Sequence, residues 1–97
     1  MMRRIAVTGA GGFIGGALAL RIDREAGFGA VRIVRDDFSR GLLPEKLAGC
    51  EAVVHLAGES RSTDPEALFR TNLALTEQVA AAVRKTPGIR RVLFGST

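Results

Sequence analysis

Tyrosine and tryptophan are absent from this 97-residue chain, and cysteine and histidine occur once each. Without a phenol, the chain has no tyrosine acid or base of its own. A single Cys50 excludes a disulfide framework within the chain, and one Cys with one His cannot build a zinc cluster. Cys50 reads instead as a small, buried or half-buried apolar residue. His55 sits inside an apolar run and reads as a hydrogen-bonded core residue; no metal site is expected. Long apolar runs are lacking too: no stretch reaches the roughly 18–20 residues of a membrane-spanning helix. The Met1-Met2-Arg3-Arg4 start leads into an apolar segment too short for a signal core, so a cytoplasmic protein is expected. Aromatics amount to 5 %, all Phe. The cations, mostly Arg, are scattered and not interleaved with aromatics. The net charge of +4 therefore implies a mild attraction to anionic ligands and no nucleic-acid partner.

What remains is an ordinary globular composition, 46 % hydrophobic and 25 % charged, of a size for one small domain spanning 1–97. Its most informative stretch is Thr8-Gly9-Ala10-Gly11-Gly12-Phe13-Ile14-Gly15. It follows the apolar run Ile5-Ala6-Val7 and opens a helical pattern, the strand–loop–helix layout of a dinucleotide-binding turn. Gly9 permits a tight turn at positive φ. Gly12 lets the backbone approach a pyrophosphate, and Gly15 lets the helix pack closely on the strand. The helix N-terminus presents N–H groups and a partial positive charge to phosphates. A second apolar run, Ala30 to Val34, leads to Asp36, about 20 residues beyond the last glycine, where an acid meets an adenosine ribose.

The rest of the chain alternates strands with helices. A helix is expected from Phe13 to about Ala26, with Ile14, Leu18 and Ile22 on its apolar side. Asp37 to Gly41 reads as loop and Pro44 to Ala48 as one or two helical turns. Ala52-Val53-Val54-His55-Leu56-Ala57 reads as a buried strand ending at Gly58. Asp64-Pro65-Glu66 starts a helix that runs to about Lys85, with an acid cap and Pro at its first position. Val92-Leu93-Phe94 is a fourth strand. Strand–helix alternation predicts an α/β fold: the N-terminal half of a doubly wound parallel sheet (Rossmann fold), with about four parallel strands and helices on both faces. Such a half-sheet leaves an apolar edge, and a fragment, or a domain completed by a partner, is expected.

Four segments in order carry a resemblance: the turn from Thr8 to Gly15, Val53-Val54-His55-Leu56-Ala57-Gly58, Asn72 within Phe69-Arg70-Thr71-Asn72-Leu73, and Val92-Leu93-Phe94-Gly95-Ser96-Thr97. The chain resembles the extended short-chain dehydrogenases/reductases of the NAD-dependent epimerase/dehydratase family, which act on nucleotide sugars. The resemblance implies that the glycine turn with Phe13 and Ile14 holds the pyrophosphate and that Asp36 meets the ribose. It implies that Leu56, Ala57 and Gly58 line the cofactor cleft, that Asn72 supports the active site, and that Thr97 takes the place of the catalytic Ser/Thr. The family's Tyr-x-x-x-Lys pair, in which Lys lowers the pKa of an acid/base Tyr, has no counterpart here, so the chain is not expected to turn over alone. The short link between Asp36 and Val53 resembles the reductase domains of capsular-polysaccharide enzymes. The implied function is the NAD(P)-binding portion of a nucleotide-sugar epimerase, dehydratase or 4-keto-reductase; the alternative is a non-catalytic dinucleotide-binding module or a truncated fragment needing a partner. Asp36 opposes a 2′-phosphate and inclines the reading to NAD, while Arg35 and Arg40 beside it could hold that phosphate of NADP. Arg61 is a loop residue within reach of a substrate phosphate or of solvent. The expected partners are the dinucleotide and, in the complete protein, a nucleotide sugar; a homodimer is compatible with the family.

Overall fold

A computed structural model describes residues 2–58 and 63–95. Four parallel strands form one sheet: β1 (Arg3–Thr8), β2 (Phe28–Ile33), β3 (Cys50–His55) and β4 (Arg91–Phe94), in the order β2-β1-β3-β4. Four helices connect them: α1 (Phe13–Arg24), α2 (Arg35–Ser39), α3 (Leu43–Leu47) and α4 (Pro65–Arg84). The expected α/β architecture is present, and β1 lies at its centre.

Strand alternation divides the core between two faces. Ala6 and Val53 point to the side covered by α2, α3 and α4, where they pack with Phe38, Leu43, Leu47, Val79 and Ala82. Val7 is equally buried but projects to the opposite face, the side of α1 and its buried Ala19. Apolar residues on both faces are what a parallel sheet covered by helices demands.

Several boundaries differ from the sequence-based expectation. The buried line of α1 is Gly15 and Ala19, whereas Ile14 is 70 % exposed. The helix lies so close to the turn that small residues face inward. The stretch read as loop after the second strand contains α2, because the Asp37 carboxylate accepts a hydrogen bond from Val34 N (2.8 Å) and pins the first turn. This is half of a capping box. In α4, Asp64 accepts from Glu66 N at 3.0 Å and Pro65 opens the helix, as the sequence implied. Gly49, at φ 84°, stands between α3 and β3 in the left-handed region open to glycine.

The topology positions the site. From β1 the chain goes through α1 to β2 on one side, then back through α2 and α3 to β3 on the other. The strand order therefore reverses between β1 and β3. The crevice beyond the C-terminal ends of these two strands is the switch point where open α/β sheets bind ligands.

Candidate dinucleotide site

The crevice has a floor, a wall and a corner. Its floor is the turn after β1. Gly9 adopts φ 72°, and a Cβ there would lie 2.9 Å from Ala57 N and 3.0 Å from Leu56 C. Both a side chain and an ordinary backbone conformation are excluded. Ala10 N donates to Ile33 O (3.2 Å) and Gly12 N to Gly9 O (3.0 Å), which closes the turn. A Cβ on Gly15 would collide with the Gly9 carbonyl. The third glycine thus packs the helix onto the turn's own backbone, a closer target than the strand expected from sequence.

The N-terminus of α1 opens from this floor. Gly12 is its N-cap and supplies no side-chain cap, and the first turn contains no acid. The N–H groups of Phe13, Ile14 and Gly15 precede the first helical hydrogen bond, donated by Gly16 N to Gly12 O (2.9 Å). Phe13 is 93 % exposed beside them. An uncapped, acid-free helix start with glycine backbone around it fits a pyrophosphate in charge and in space.

Leu56-Ala57-Gly58, leaving β3, form the wall. Leu56 N and Ala57 N both donate to Thr8 Oγ1, at 2.9 and 3.0 Å, tying the wall to the residue before the glycine turn. Asn72 of α4 comes up behind: a Cβ on Gly58 would sit 3.3 Å from its Oδ1. The structure thus brings together Gly9, Gly12, Phe13, Ile14, Gly15, Leu56, Ala57, Gly58 and Asn72. Thr97 and Arg61 lie outside the described residues.

The corner is the start of α2. Gly11 faces it, since its Cβ position lies 3.8 Å from Val34 Cγ1. Asp36 is exposed there and pairs with Arg40 one turn along, at 3.6 Å. Its neighbour behaves differently. Asp37, read from the sequence as the start of a loop, is buried; it accepts from Val34 N and from Lys46 Nζ (2.9 Å), and Lys46 also donates to Arg32 O (2.9 Å). Burial pushes the Asp37 carboxyl upward, but the Lys46 ammonium and the Val34 N–H outweigh it and hold it below the usual carboxylate range. Asp37 and Lys46 build the corner and were missed from sequence; the signal was an acid at the third helical position.

His55 is buried, as the sequence implied, and stacks edge-on to Phe94 with centroids 5.7 Å apart. Burial lowers its pKa. Burial likewise raises the Cys50 thiol. Among the described residues, no group of His, Cys, Asp or Glu could hold a metal ion. No helix among them is long and apolar enough to cross a membrane.

A family profile described as the NAD dependent epimerase/dehydratase family matches residues 5–97. The chain belongs to that family. Among curated relatives of this epimerase/dehydratase segment is the UDP-2-acetamido-2,6-beta-L-arabino-hexul-4-ose reductase of Pseudomonas aeruginosa, 33 % identical over 94 residues. That match covers 97 % of this chain and 25 % of the reductase. Among solved structures, the UDP-N-acetylglucosamine 4-epimerase of Bacillus cereus superposes with a TM-score of 0.80 at 27 % identity, over 98 % of this chain and 40 % of the epimerase. A mutant uronate dehydrogenase of Agrobacterium tumefaciens complexed with NAD superposes with a TM-score of 0.69 at 25 % identity, over 100 % of this chain and 42 % of that protein. The chain therefore spans a quarter to about two-fifths of the length of these relatives.

Proposed function

We propose that residues 1–97 form the cofactor-binding portion of a nucleotide-sugar enzyme that works by hydride transfer at a sugar carbon. The observation that carries this reading is the uncapped, acid-free N-terminus of α1, set in a glycine turn at the β1/β3 switch point. The family membership and the relatives acting on nucleotide sugars support it. In this reading the Phe13–Gly15 N–H groups hold the pyrophosphate and Asp36 accepts from the adenosine ribose. The Leu56–Gly58 wall shields the nicotinamide end from water, and Asn72 braces that wall from α4. When bound, the dinucleotide supplies the hydride-transfer chemistry. Thr97 takes the place of the family's Ser/Thr at the sugar oxygen. The chain has no tyrosine, so the acid/base phenol belongs to chain beyond this segment, and the nucleotide sugar and any homodimer belong to that longer protein. Residues 1–97 alone bind without turnover.

Titration calorimetry of the chain with NAD(H) and NADP(H) tests this. Saturable heat with either dinucleotide supports the reading, and its absence with both overturns it. Gly12→Val, whose side chain would stand where a phosphate approaches, abolishes the heat.

The proposed preference is NAD(H), because the exposed Asp36 carboxylate repels a 2′-phosphate. A second reading, NADP(H), is favoured by the Arg40–Asp36 pair, which offsets that carboxylate, and by Arg35 at the same corner. Asp36→Ala separates the two. Under the first reading it weakens NAD(H) more than NADP(H); equal losses favour the second.

A further inference from the structure

A polar group of Thr8 and His55 is buried behind the wall. Among the described residues, Thr8 Oγ1 has three neighbours: Leu56 N at 2.9 Å, Ala57 N at 3.0 Å and His55 Nδ1 at 2.7 Å. A threonine hydroxyl has two lone pairs and one proton. The two backbone N–H groups occupy the lone pairs, so the single proton must go to Nδ1. Nδ1 is then an acceptor, and the ring is the neutral tautomer protonated on Nε2. Nε2 lies 3.3 Å from Thr76 Oγ1 on α4 and donates to it.

We infer that Thr8, His55 and Thr76 form a relay that positions the wall of the dinucleotide site, and that His55 must be neutral, with its proton on Nε2, for that wall to hold its place. The inference rests on the dinucleotide reading proposed above. The wall has no slack: Ala57 N and Leu56 C already stand about 3 Å from where a Gly9 Cβ would be. The hydroxyl that fixes their N–H groups belongs to the residue before Gly9. Thr76, one turn beyond Asn72 on α4, meets the His55 ring, so the relay also ties α4 to the cleft. A proton added at Nδ1 would face the Thr8 hydroxyl donor to donor, and that hydroxyl would have to give up a backbone N–H to accept it. Among the described residues, the groups that hydrogen-bond or stack with the ring are Thr8 from β1, Phe38 from α2, Thr76 from α4 and Phe94 from β4, and none of these carries a charge that would favour an imidazolium. Burial acts in the same direction. His55 is a positioning residue here.

Because His55 is the single histidine of the chain, a long-range proton–nitrogen spectrum of the ¹⁵N-labelled 97-residue protein reports on this ring alone. The expected spectrum shows a protonated Nε2 and a bare Nδ1, at and above the ordinary imidazole value of about 6.5. A proton on Nδ1, or a charged ring in that range, overturns the inference. Thr8→Val removes the hydroxyl and Thr8→Ser restores it. In Thr8→Val the Leu56 and Ala57 amide signals move, the tautomer preference is lost and dinucleotide affinity falls on the order of tenfold or more, the effect of one buried hydrogen-bond group; Thr8→Ser reverses all three. Unchanged amides, tautomer and affinity in a folded Thr8→Val overturn the relay. If the unsubstituted chain binds no dinucleotide, the function proposed above fails, and the tautomer with the Leu56 and Ala57 amide shifts still decides for or against the relay.

Discussion

Gly12 and Gly15 stand one helical step apart and tolerate a side chain differently. A Cβ at Gly12 meets Gly9 O at 3.3 Å, a contact that a small shift relieves, so Gly12→Val is expected to leave the fold standing while it abolishes the proposed dinucleotide binding. At Gly15 even alanine meets the Gly9 carbonyl, and the helix must back away from the turn. Gly15→Ala is expected to lower stability by about 1–3 kcal/mol, the usual cost of overpacking, as read by urea unfolding. Asp37 carries a different kind of consequence. Its carboxyl is held below the ordinary carboxylate range, so the stability it confers is complete above about pH 4, the unfolded value, and is lost as pH falls through the lower folded value. Asp37→Asn should therefore flatten the acid limb of the stability profile. At neutral pH it should cost about 1–3 kcal/mol, because Lys46 loses its buried charged partner while an amide oxygen still accepts from Val34 N, as measured by chemical denaturation across pH. The glycines were legible in the sequence because their spacing marks backbone that must stay bare: Gly9 takes a positive φ and Gly15 has no room for a Cβ. Asp37 was not, because only packing tells which of two adjacent acids turns inward.

Among the elements, α4 was the most legible. Asp64, Pro65 and Glu66 announce its start, and Val79 and Ala82 face the core as their spacing implies. Asp64→Ala removes the side-chain acceptor for Glu66 N and is expected to cost about 1 kcal/mol, seen as a lower midpoint in thermal unfolding with the α4 amides exchanging faster. By contrast α2 was hidden. Five residues are too few to show a periodicity, and Arg35–Ser39 becomes a helix because Asp37 caps it and Phe38 anchors it in the core. The apolar face of α1 was misplaced for a related reason: Ile14 looked like a core residue by its spacing, yet the close approach of helix to turn gives that inner place to Gly15 and Ala19.

On the scale of the whole molecule, one side of the sheet ends at β4, where Leu93 and Phe94 are more than half exposed, and Phe69 and Leu73 are exposed on α4. An open parallel edge with apolar side chains is a template for further pairing. The isolated 97-residue chain is expected to self-associate with rising concentration in sedimentation velocity, and Leu93→Lys to reduce that association. Sequence alone determined the alternation of strands and helices, the glycine turn and the helix start that follows it, since each depends on local conformation and on the pattern of apolar residues. Tertiary structure decided the rest. It placed β3 beside β1 rather than beside β2, and so put Leu56–Gly58 across from the glycine turn. It buried Asp37 and not Asp36, and it joined Thr8, His55 and Thr76 across 68 residues of chain. Those choices depend on which surfaces meet, and contacts between residues far apart in the chain leave no period or spacing to be read.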